Sequence, residues 1–302
     1  MMNIGGESMH LNVFVSQKCF LYCKGCYSIS RNEKFDQIID TENIVEFLKY
    51  AYDYGINKVT LCGGDPLTRK DIIELIKQIK DIGFYISLDT VGTSIIRDVK
   101  CKDNAIIKKI DTKILSKLVD KIGIPIDGSS NEIIKKFRQT DFDLLSDQLE
   151  ICDELKKYNA NICVNTVVHK ENLKDVKLLC GIINKLDYIK KWQLFKYAPM
   201  GKCGILNRNL FEITEEEFEK YKQEILKECL RDEIVEFKGF DARNKAYMMI
   251  DNSGNAWIPE YSQKLFDNSE EILENRKILG NITNLSDWEC ICKTLKLGGK
   301  RK

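Results

Sequence analysis

The chain has 302 residues, of which 43% are hydrophobic, and its formal net charge is +1. A chain of this length can form one large domain or two and can bury a sizeable core. Its 47 basic and 46 acidic residues are mixed along the sequence, so the charge pattern predicts neither a DNA-binding nor a membrane-binding surface. No uninterrupted apolar run reaches the length that a membrane-spanning helix needs.

The N-terminal segment and the cysteines indicate in which cellular compartment the protein is located. Residues 1–10 lack the basic and apolar regions of a secretory signal. The chain contains 12 cysteines, and without an export signal most of these thiols are expected to stay reduced. The sequence therefore predicts a cytoplasmic protein.

Predicted strands alternate with helical segments through the first two thirds of the chain. The predicted strands are 11–15, 58–61, 84–88, 122–126, 161–168 and 192–195, and the clearest helical patterns are 41–54, 70–82, 142–158 and 173–186. This alternation is typical of parallel strands joined by right-handed crossovers. The predicted fold is therefore α/β, a partial (β/α)6 TIM-like barrel over residues 1–200, with reactive groups gathered where the strands end.

The remaining residues, 201–302, have a different pattern. Thr214 and Glu217 form a capping-box pair that predicts the start of a helix. Segments 246–250 and 256–259 flank a strong turn signal at 251–255, which predicts a β-hairpin. We expect a small α+β appendage that closes the open side of the barrel and ends in a mobile basic segment, 299–302.

Three thiols, Cys19, Cys23 and Cys26, follow the first predicted strand at C-x3-C-x2-C spacing. Thiolates hold iron–sulfur clusters, and a cubane normally takes four. Because the nearby sequence offers three, one iron would stay open to a small chelating ligand. The alternatives are zinc, which prefers four protein ligands, or three unrelated thiols in a cysteine-rich chain. The spacing favours a catalytic cluster.

This motif resembles the signature of the radical S-adenosylmethionine (SAM) enzymes. The resemblance implies one 4Fe-4S cluster on Cys19, Cys23 and Cys26, with SAM on the open iron and a flavodoxin- or ferredoxin-type electron donor. In that family one electron from the cluster cleaves SAM to methionine and a 5′-deoxyadenosyl radical, which takes a hydrogen atom from the substrate. One departure is Gly25, where the family usually has an aromatic residue, with Tyr27 just after the third cysteine.

Two further segments resemble SAM-binding motifs. Gly63, Gly64 and Asp65 belong to a Gly-Gly-Asp-Pro sequence similar to the family's Gly-Gly-Glu-Pro motif, whose backbone holds the SAM amino group. Glycine lets a backbone approach a ligand closely, although a tight strand–helix turn also favours it. Residues 124–138, IPIDGSSNEIIKKFR, resemble the fourth strand and following helix of the branch with the molybdenum-cofactor GTP cyclase, the SPASM peptide-modifying enzymes and viperin.

In that branch a serine and an arginine hold the SAM carboxylate, which implies Ser129 or Ser130 together with Arg138. The alternative for Arg138 is a surface arginine on a solvated helix face. Asn165 matches a position that often lies near SAM, and strand alternation places it on one face with Cys163 and Val167.

Asp89 and Thr90 end the third predicted strand and are candidates to contact the SAM ribose, although both residue types also cap turns. Cys203 follows the sixth predicted strand and is the candidate hydrogen-atom donor to a product radical; the alternative is an inert, partly buried thiol. Cys152 and Cys180 continue apolar helix faces and are expected in the core. We do not assign Cys290 and Cys292 to a second cluster, because SPASM-type enzymes carry a longer cysteine array.

The predicted function is reductive SAM cleavage followed by hydrogen abstraction, with a ribosomally made peptide as the expected substrate. The alternative is a viperin-like nucleotide dehydratase, because NTVVHKEN, WQLF, FEITEEEF and ARNKAYMMIDNSGNAW resemble that family's C-terminal half. Against it, Cys163 stands where that family has a basic residue, and the cysteine loop lacks its phosphate-binding run. A non-catalytic electron-transfer module is disfavoured by the three-cysteine spacing.

Overall fold

A computed structural model describes residues 9–28, 38–101, 105–261 and 278–298. Its strands are β1 (His10–Ser16), β2 (Tyr22–Cys23), β3 (Lys58–Gly63), β4 (Tyr85–Asp89), β5 (Val99–Lys100), β6 (Ile106–Ile107), β7 (Lys121–Pro125), β8 (Arg138–Gln139), β9 (Ile162–Val168), β10 (Lys191–Lys196), β11 (Val235–Lys238), β12 (Tyr247–Ile250), β13 (Asn255–Trp257) and β14 (Ile278–Asn281). The basic segment 299–302 lies outside the described residues.

The described residues contain twelve α-helices. They are α1 (Thr41–Asp53), α2 (Ile72–Ile82), α3 (Thr93–Ile96), α4 (Thr112–Leu118), α5 (Asn131–Phe137), α6 (Leu144–Lys156), α7 (Val176–Lys185), α8 (Gly201–Leu206), α9 (Arg208–Phe211), α10 (Glu215–Glu228), α11 (Phe240–Arg243) and α12 (Trp288–Gly298). In the part of the chain that the structure describes, no helix combines the length and the apolar character needed to span a membrane.

The main sheet has ten strands in the order β11-β10-β9-β7-β4-β3-β1-β12-β13-β14. Its first eight strands in that order are parallel, and β12, β13 and β14 pair antiparallel. The six predicted strands are β1, β3, β4, β7, β9 and β10, so the predicted parallel α/β architecture is confirmed. Within the described residues the sheet keeps two edges, and the barrel is therefore partial.

The two faces of the sheet differ in chemistry because successive side chains of a strand point to opposite faces. In β1, Leu11, Val13 and Val15 are fully buried in the large apolar core beneath the helices. Asn12 and Phe14 alternate with them on the inner face of the barrel. Burying an apolar side chain contributes about 1.5–3 kcal/mol, so the outer face stabilises the fold and the inner face is available for polar groups.

Residues after position 201 extend the same sheet. β11 pairs with β10 and β12 pairs with β1, both in parallel, while Thr214 and Glu217 form the predicted capping box at the start of α10. The predicted hairpin is also confirmed, as β12 and β13. The division of the chain at residue 201 stays a prediction.

A buried histidine packs the loop after β9 against α5. The ring of His169 stacks on Phe137 with 4.7 Å between ring centroids, and the edge of Phe211 lies 5.5 Å away. Its Nδ1 accepts a hydrogen bond of 3.3 Å from the backbone N–H of Glu171. Its Nε2 is buried and has no hydrogen-bond partner among the described residues. Burial disfavours the charged ring and lowers the pKa of His169 to about 4.

This pKa predicts a loss of stability in mild acid. Between the pKa of an unfolded histidine, about 6.5, and that of folded His169, the unfolded chain binds a proton that the folded chain does not, so stability falls as pH falls. We expect the wild-type protein to lose on the order of 2 kcal/mol of unfolding free energy relative to His169→Asn between pH 7 and pH 5. Denaturant unfolding at both pH values measures this difference.

The matched control is His10→Asn, because His10 is the chain's other histidine and is exposed. In this control the loss of stability that His169 causes between pH 7 and pH 5 should remain. An equal pH dependence in wild type and His169→Asn would show that His169 is not buried in neutral form.

Candidate metal centre

The three thiols of the C-x3-C-x2-C motif line one cavity of about 210 Å³ that follows the carboxyl end of β1. The cavity is lined by Gln17, Lys18, Cys19, Leu21, Tyr22, Cys23, Cys26, Ser28, Gly64 and Cys101. All twelve cysteines lie in described segments and none forms a disulfide. The sequence motif therefore brings its three thiols together around a single space.

Backbone hydrogen bonds hold the loop that carries these thiols. The N–H of Gly64 donates to the carbonyl of Ser16 at 2.7 Å, and the N–H of Asp65 donates to Lys18 at 2.6 Å. Farther along the loop, the N–H of Lys24 donates to Phe137 at 2.8 Å. The Gly-Gly-Asp-Pro segment thus fixes the start of the cysteine loop, and the end of α5 fixes its middle.

Two glycines permit close approaches around this loop. A Cβ on Gly64 would lie 2.2 Å from the carbonyl oxygen of Lys18. A Cβ on Gly25 would lie 2.2 Å from the ring of Phe137 and 2.8 Å from the ring of Tyr197. A larger side chain at position 25 would have no room here, because these two rings occupy its place.

Asp65 and Thr90, both predicted cofactor-binding residues, bind each other. The hydroxyl of Thr90 donates to both carboxylate oxygens of Asp65 at 2.8 and 2.9 Å, and the N–H of Val91 donates at 2.6 Å. Burial raises the pKa of Asp65 to about 6, although these hydrogen bonds oppose the shift. The pair joins the loop after β3 to the loop after β4, so the Asp65 side chain has a clear structural role.

Asp89 and Asn165 meet on the inner face of the sheet. The side-chain amide of Asn165 donates to Asp89 at 3.1 Å, across the intervening strand β7. Burial raises the pKa of Asp89, while Lys121 and the Asn165 hydrogen bond oppose this shift. These two predicted residues therefore form one polar contact inside the barrel.

The two serines after β7 have different partners. The backbone N–H of Ser129 donates to Asp175 at 2.6 Å, and its hydroxyl donates to the same carboxylate. The hydroxyl of Ser130 accepts from the N–H of Ile133 at 3.4 Å and caps the start of α5. Both side chains help to shape this loop, and their predicted contact with SAM stays a prediction.

Arg138 lies beside the cysteine loop, but not on a helix as the sequence predicted. α5 ends at Phe137, and Arg138 begins β8, in which it pairs with Cys23 of β2. Its guanidinium forms a buried ion pair: Arg138 Nε donates to Asp127, whose side chain is fully buried, while Nη1 lies 3.8 Å from the Cys23 Sγ. Burial alone would lower the pKa of Arg138, but Asp127 and Cys23 raise it above its usual value.

Cys203 lies in the first turn of α8, next to the cysteine loop. Its carbonyl accepts from the side chain of Asn207 at 3.1 Å, and the same amide donates to the Lys24 carbonyl at 3.0 Å. Cys203 is not among the residues that line the cavity. Its role as a hydrogen donor stays a prediction.

Sequence reasoning missed Asp127 and Cys101. The signal for Asp127 was present, because a carboxylate after a buried strand with an arginine downstream is a natural ion pair. Cys101 has no such signal, since a hairpin brings it to the cavity from a distant part of the chain.

The thiols and the backbone around them suit an iron–sulfur cubane. A cubane attaches its thiolates to separate irons and thus needs thiols distributed around a space. Within the described segments, no three His, Cys, Asp or Glu side chains converge to hold a single metal ion. The glycine-lined wall at Gly64 additionally lets a small ligand approach the backbone.

Known proteins share this sequence pattern and fold. A probable GTP 3′,8-cyclase of Methanococcus aeolicus is 28% identical over 59% of this chain and 58% of its own length. A SAM-dependent nucleotide dehydratase of Lacinutrix mariniflava is 25% identical over 81% of this chain and 49% of its own length. The chain spans 49–58% of the first three curated relatives that it matches.

The solved structure of anSMEcpe with bound AdoMet and a peptide superposes with a TM-score of 0.65 at 17% identity. It covers 97% of this chain and 84% of anSMEcpe, and at that identity it shows a shared fold. The family model of the Radical SAM superfamily matches residues 13–180, which contain the cysteine motif, part of the first predicted strand and all of the next four. Enzymes of this superfamily use a 4Fe-4S cluster and AdoMet. The chain belongs to the radical SAM superfamily.

Proposed function

We propose that Cys19, Cys23 and Cys26 hold one 4Fe-4S cluster at which SAM is reductively cleaved, and that the resulting radical takes a hydrogen atom from a substrate on the inner face of the barrel. This proposal rests mainly on the observation that these three thiols line one cavity beside the Gly63–Gly64 backbone and Arg138. When bound, the cluster supplies the electron for cleavage. We further propose that a flavodoxin- or ferredoxin-type protein delivers that electron.

The proposal gives Arg138 a role in binding the SAM carboxylate. Asp127 anchors the Nε edge of the guanidinium, and Nη1 lies 3.8 Å from Cys23 Sγ, so the cation is fixed beside a cluster thiol. A guanidinium can bind a carboxylate through two parallel hydrogen bonds. The Gly63–Gly64 backbone is the corresponding candidate for the SAM amino group. Ser129 or Ser130, which follow Asp127 in the chain, remains the candidate second partner of the carboxylate.

Inside the barrel, Asp89 and Asn165 are proposed to contact the SAM ribose. They are hydrogen-bonded to each other, which orients both polar groups before any ligand arrives. Pre-oriented polar groups lose less freedom on binding, so they favour a defined ligand position. Thr90 is proposed to act through Asp65, because its hydroxyl is already committed to that carboxylate.

For the substrate we propose a nucleotide. On the inner face, Lys191 and Lys238 share one carboxylate, Glu236, which also accepts from Gln193 at 2.7 Å. Despite burial, the hydrogen bonds from Lys238, Gln193 and Lys191 lower the pKa of Glu236 to about 2. Two lysines and one carboxylate leave a net positive charge, which suits a phosphate group.

Two other observations support a nucleotide. A cluster that contains Phe14, Phe240, Trp257 and Tyr261 lies on the side of the sheet that Phe14 faces, and its aromatic rings are the candidate partners for a base. The nucleotide dehydratase relative aligns over 81% of this chain, so the similarity must extend beyond residue 200. Its extent therefore includes part of the region that joins β11 and β12 to the sheet.

A ribosomally made peptide is the second candidate substrate. It is supported by the fold shared with anSMEcpe, which is solved with a bound peptide, and by the open sheet edges that leave the barrel partial. Since this likeness concerns the fold alone, it weighs less than the charge distribution inside the barrel.

Removing the thiols should abolish the cluster. After anaerobic reconstitution, we expect about four irons and about four sulfides per chain, as one cubane requires. A Cys19→Ala, Cys23→Ala, Cys26→Ala triple variant should lose them, together with the charge-transfer absorption of the cluster. The control is Cys290→Ala, which removes an exposed thiol outside the cavity. A triple variant that retains the cluster spectrum would refute the assignment.

Arg138→Ala should weaken SAM binding. Losing a charged hydrogen bond in a buried site costs about 1.5–3 kcal/mol, or roughly ten- to hundredfold in Kd. Because Arg138→Ala leaves Asp127 buried without its partner, Arg138→Lys is the second variant; it keeps the charge but loses the two-pronged contact. Equilibrium binding of SAM at equal iron content measures both.

The control for Arg138 is Arg231→Ala, which removes an arginine that donates to the Leu186 carbonyl, away from the cavity. Its SAM affinity should equal that of the wild type. Wild-type affinity in both Arg138 variants would remove the arginine from the SAM site.

The substrate class can be identified by hydrogen transfer. With reductant and SAM, a panel of nucleoside triphosphates should raise formation of 5′-deoxyadenosine above its rate without substrate, and a ribose-deuterated nucleotide should pass deuterium to it. Lys238→Ala should weaken this stimulation, whereas Lys220→Ala on exposed α10 should not. Stimulation by a peptide while no nucleotide has an effect would overturn the nucleotide proposal in favour of the second candidate.

A further inference from the structure

A fourth thiol lies in the cluster cavity. Cys101 is buried, with 6% of its surface exposed, and it lines the same 210 Å³ space as Cys19, Cys23 and Cys26. The remaining eight cysteines of the chain, all in described segments, do not line this cavity. Four thiols around one space equal the number of ligands that a cubane normally takes.

Cys101 directly follows β5, one of two short paired strands. β5 and β6 pair antiparallel, and the N–H of Cys101 donates to the carbonyl of Ala105 at 2.8 Å. Below this pair, Asp98 accepts from the N–H of Lys109 at 2.8 Å and from the ammonium group of Lys108 at 2.7 Å. These contacts order the short paired strands from which Cys101 lines the cavity.

The Cys101 thiol lies in the same cavity as the proposed cluster, which has one iron without a protein ligand. Three cysteines leave one iron without a protein ligand, and thiolate is a strong ligand for cluster iron. SAM would bind that same iron through its amino and carboxylate groups, as the family does. Cys101 and SAM are therefore positioned to compete for one coordination site.

We propose that Cys101 binds the fourth iron as a thiolate when SAM is absent and leaves when SAM binds. This rests on the cluster assignment in the proposed function. On exchange, the bond between iron and the Cys101 sulfur would break, the SAM ammonium group would lose one proton as its nitrogen and the carboxylate oxygen bind the iron, and the released thiolate would take up one proton. No electron is transferred, so the step balances without an oxidant or reductant.

The bound Cys101 thiolate, here called the cap of the fourth iron, has two measurable effects. It keeps the fourth iron from dissociating while no SAM is bound, and it weakens apparent SAM binding because the thiolate must first be displaced. Competition for one site is a thermodynamic coupling, for which removal of the competitor should tighten SAM binding about fivefold or more. Cys101→Ala should therefore bind SAM more tightly and hold its fourth iron less firmly than the wild type.

The test uses full-length protein reconstituted anaerobically with 57Fe. Mössbauer spectra of the wild type without SAM should show four similar, thiolate-ligated irons, and addition of SAM should make one iron distinct. Cys101→Ala should show the distinct iron already without SAM. Brief exposure to a mild oxidant should convert Cys101→Ala, but not the wild type, to a 3Fe-4S cluster detectable by electron paramagnetic resonance.

The control variant is Cys290→Ala, which should behave as the wild type, and Cys101→Ser, close in size to the native residue, repeats the comparison should Cys101→Ala fail to fold. A distinct iron in the wild type without SAM, with SAM affinity equal to that of Cys101→Ala, would overturn the cap. If the wild type shows that distinct iron and still contains about four irons per chain, only the proposal for Cys101 fails, and the assignment of the cluster to Cys19, Cys23 and Cys26 stands. Absence of iron from the wild type would instead overturn the cluster assignment itself.

Discussion

The buried ion pair between Asp127 and Arg138 links the barrel to the cysteine loop. Asp127 is fully buried and accepts from the N–H of Val167 at 2.7 Å as well as from Arg138, so one carboxylate joins β7, β9 and β8. Arg138 in turn pairs with Cys23 through the β2–β8 contact. Removing one partner of a buried ion pair costs about 3–5 kcal/mol, whereas an intact pair contributes little net stability. Its main effect here is to fix a cation beside a thiol.

The two faces of the main sheet also differ in role, one stabilising the fold and the other carrying polar groups. Outward-facing side chains such as Leu11 and Val13 are fully buried under the helices, and inward-facing ones such as Asn165 and Glu236 carry hydrogen bonds and charge. Parallel strands place their carboxyl ends at one rim, so the loops after β1, β3 and β7 converge there although they are far apart in the sequence.

The sequence predicted what depends on local patterning. Strand periodicity located the six barrel strands, and the capping pair at Thr214 located α10, because each signal lies within the element that it specifies. The pairing of β12 with β1 and the hairpin that brings Cys101 to the cavity depend on contacts between distant residues, for which a single sequence has no signal. Arg138 is an intermediate case: its residue type suggested a role in binding, but its contacts with Asp127 and Cys23 depend on residues outside the local pattern.

Burial separates the chain's thiols into groups with different chemistry. Cys152 and Cys180 lie in the apolar core, as their helical spacing predicted. Cys163 is also buried, yet it faces the barrel interior and donates to Asn165 Oδ1 at 3.5 Å, and burial raises its pKa to about 12. Such a thiol keeps its hydrogen at neutral pH, which allows it to donate this hydrogen bond. Burial also raises the pKa of Cys19, so the cavity thiols differ from Cys163 in lining one common space rather than in their pKa. The same residue type therefore serves packing, hydrogen bonding and ligation according to what surrounds it.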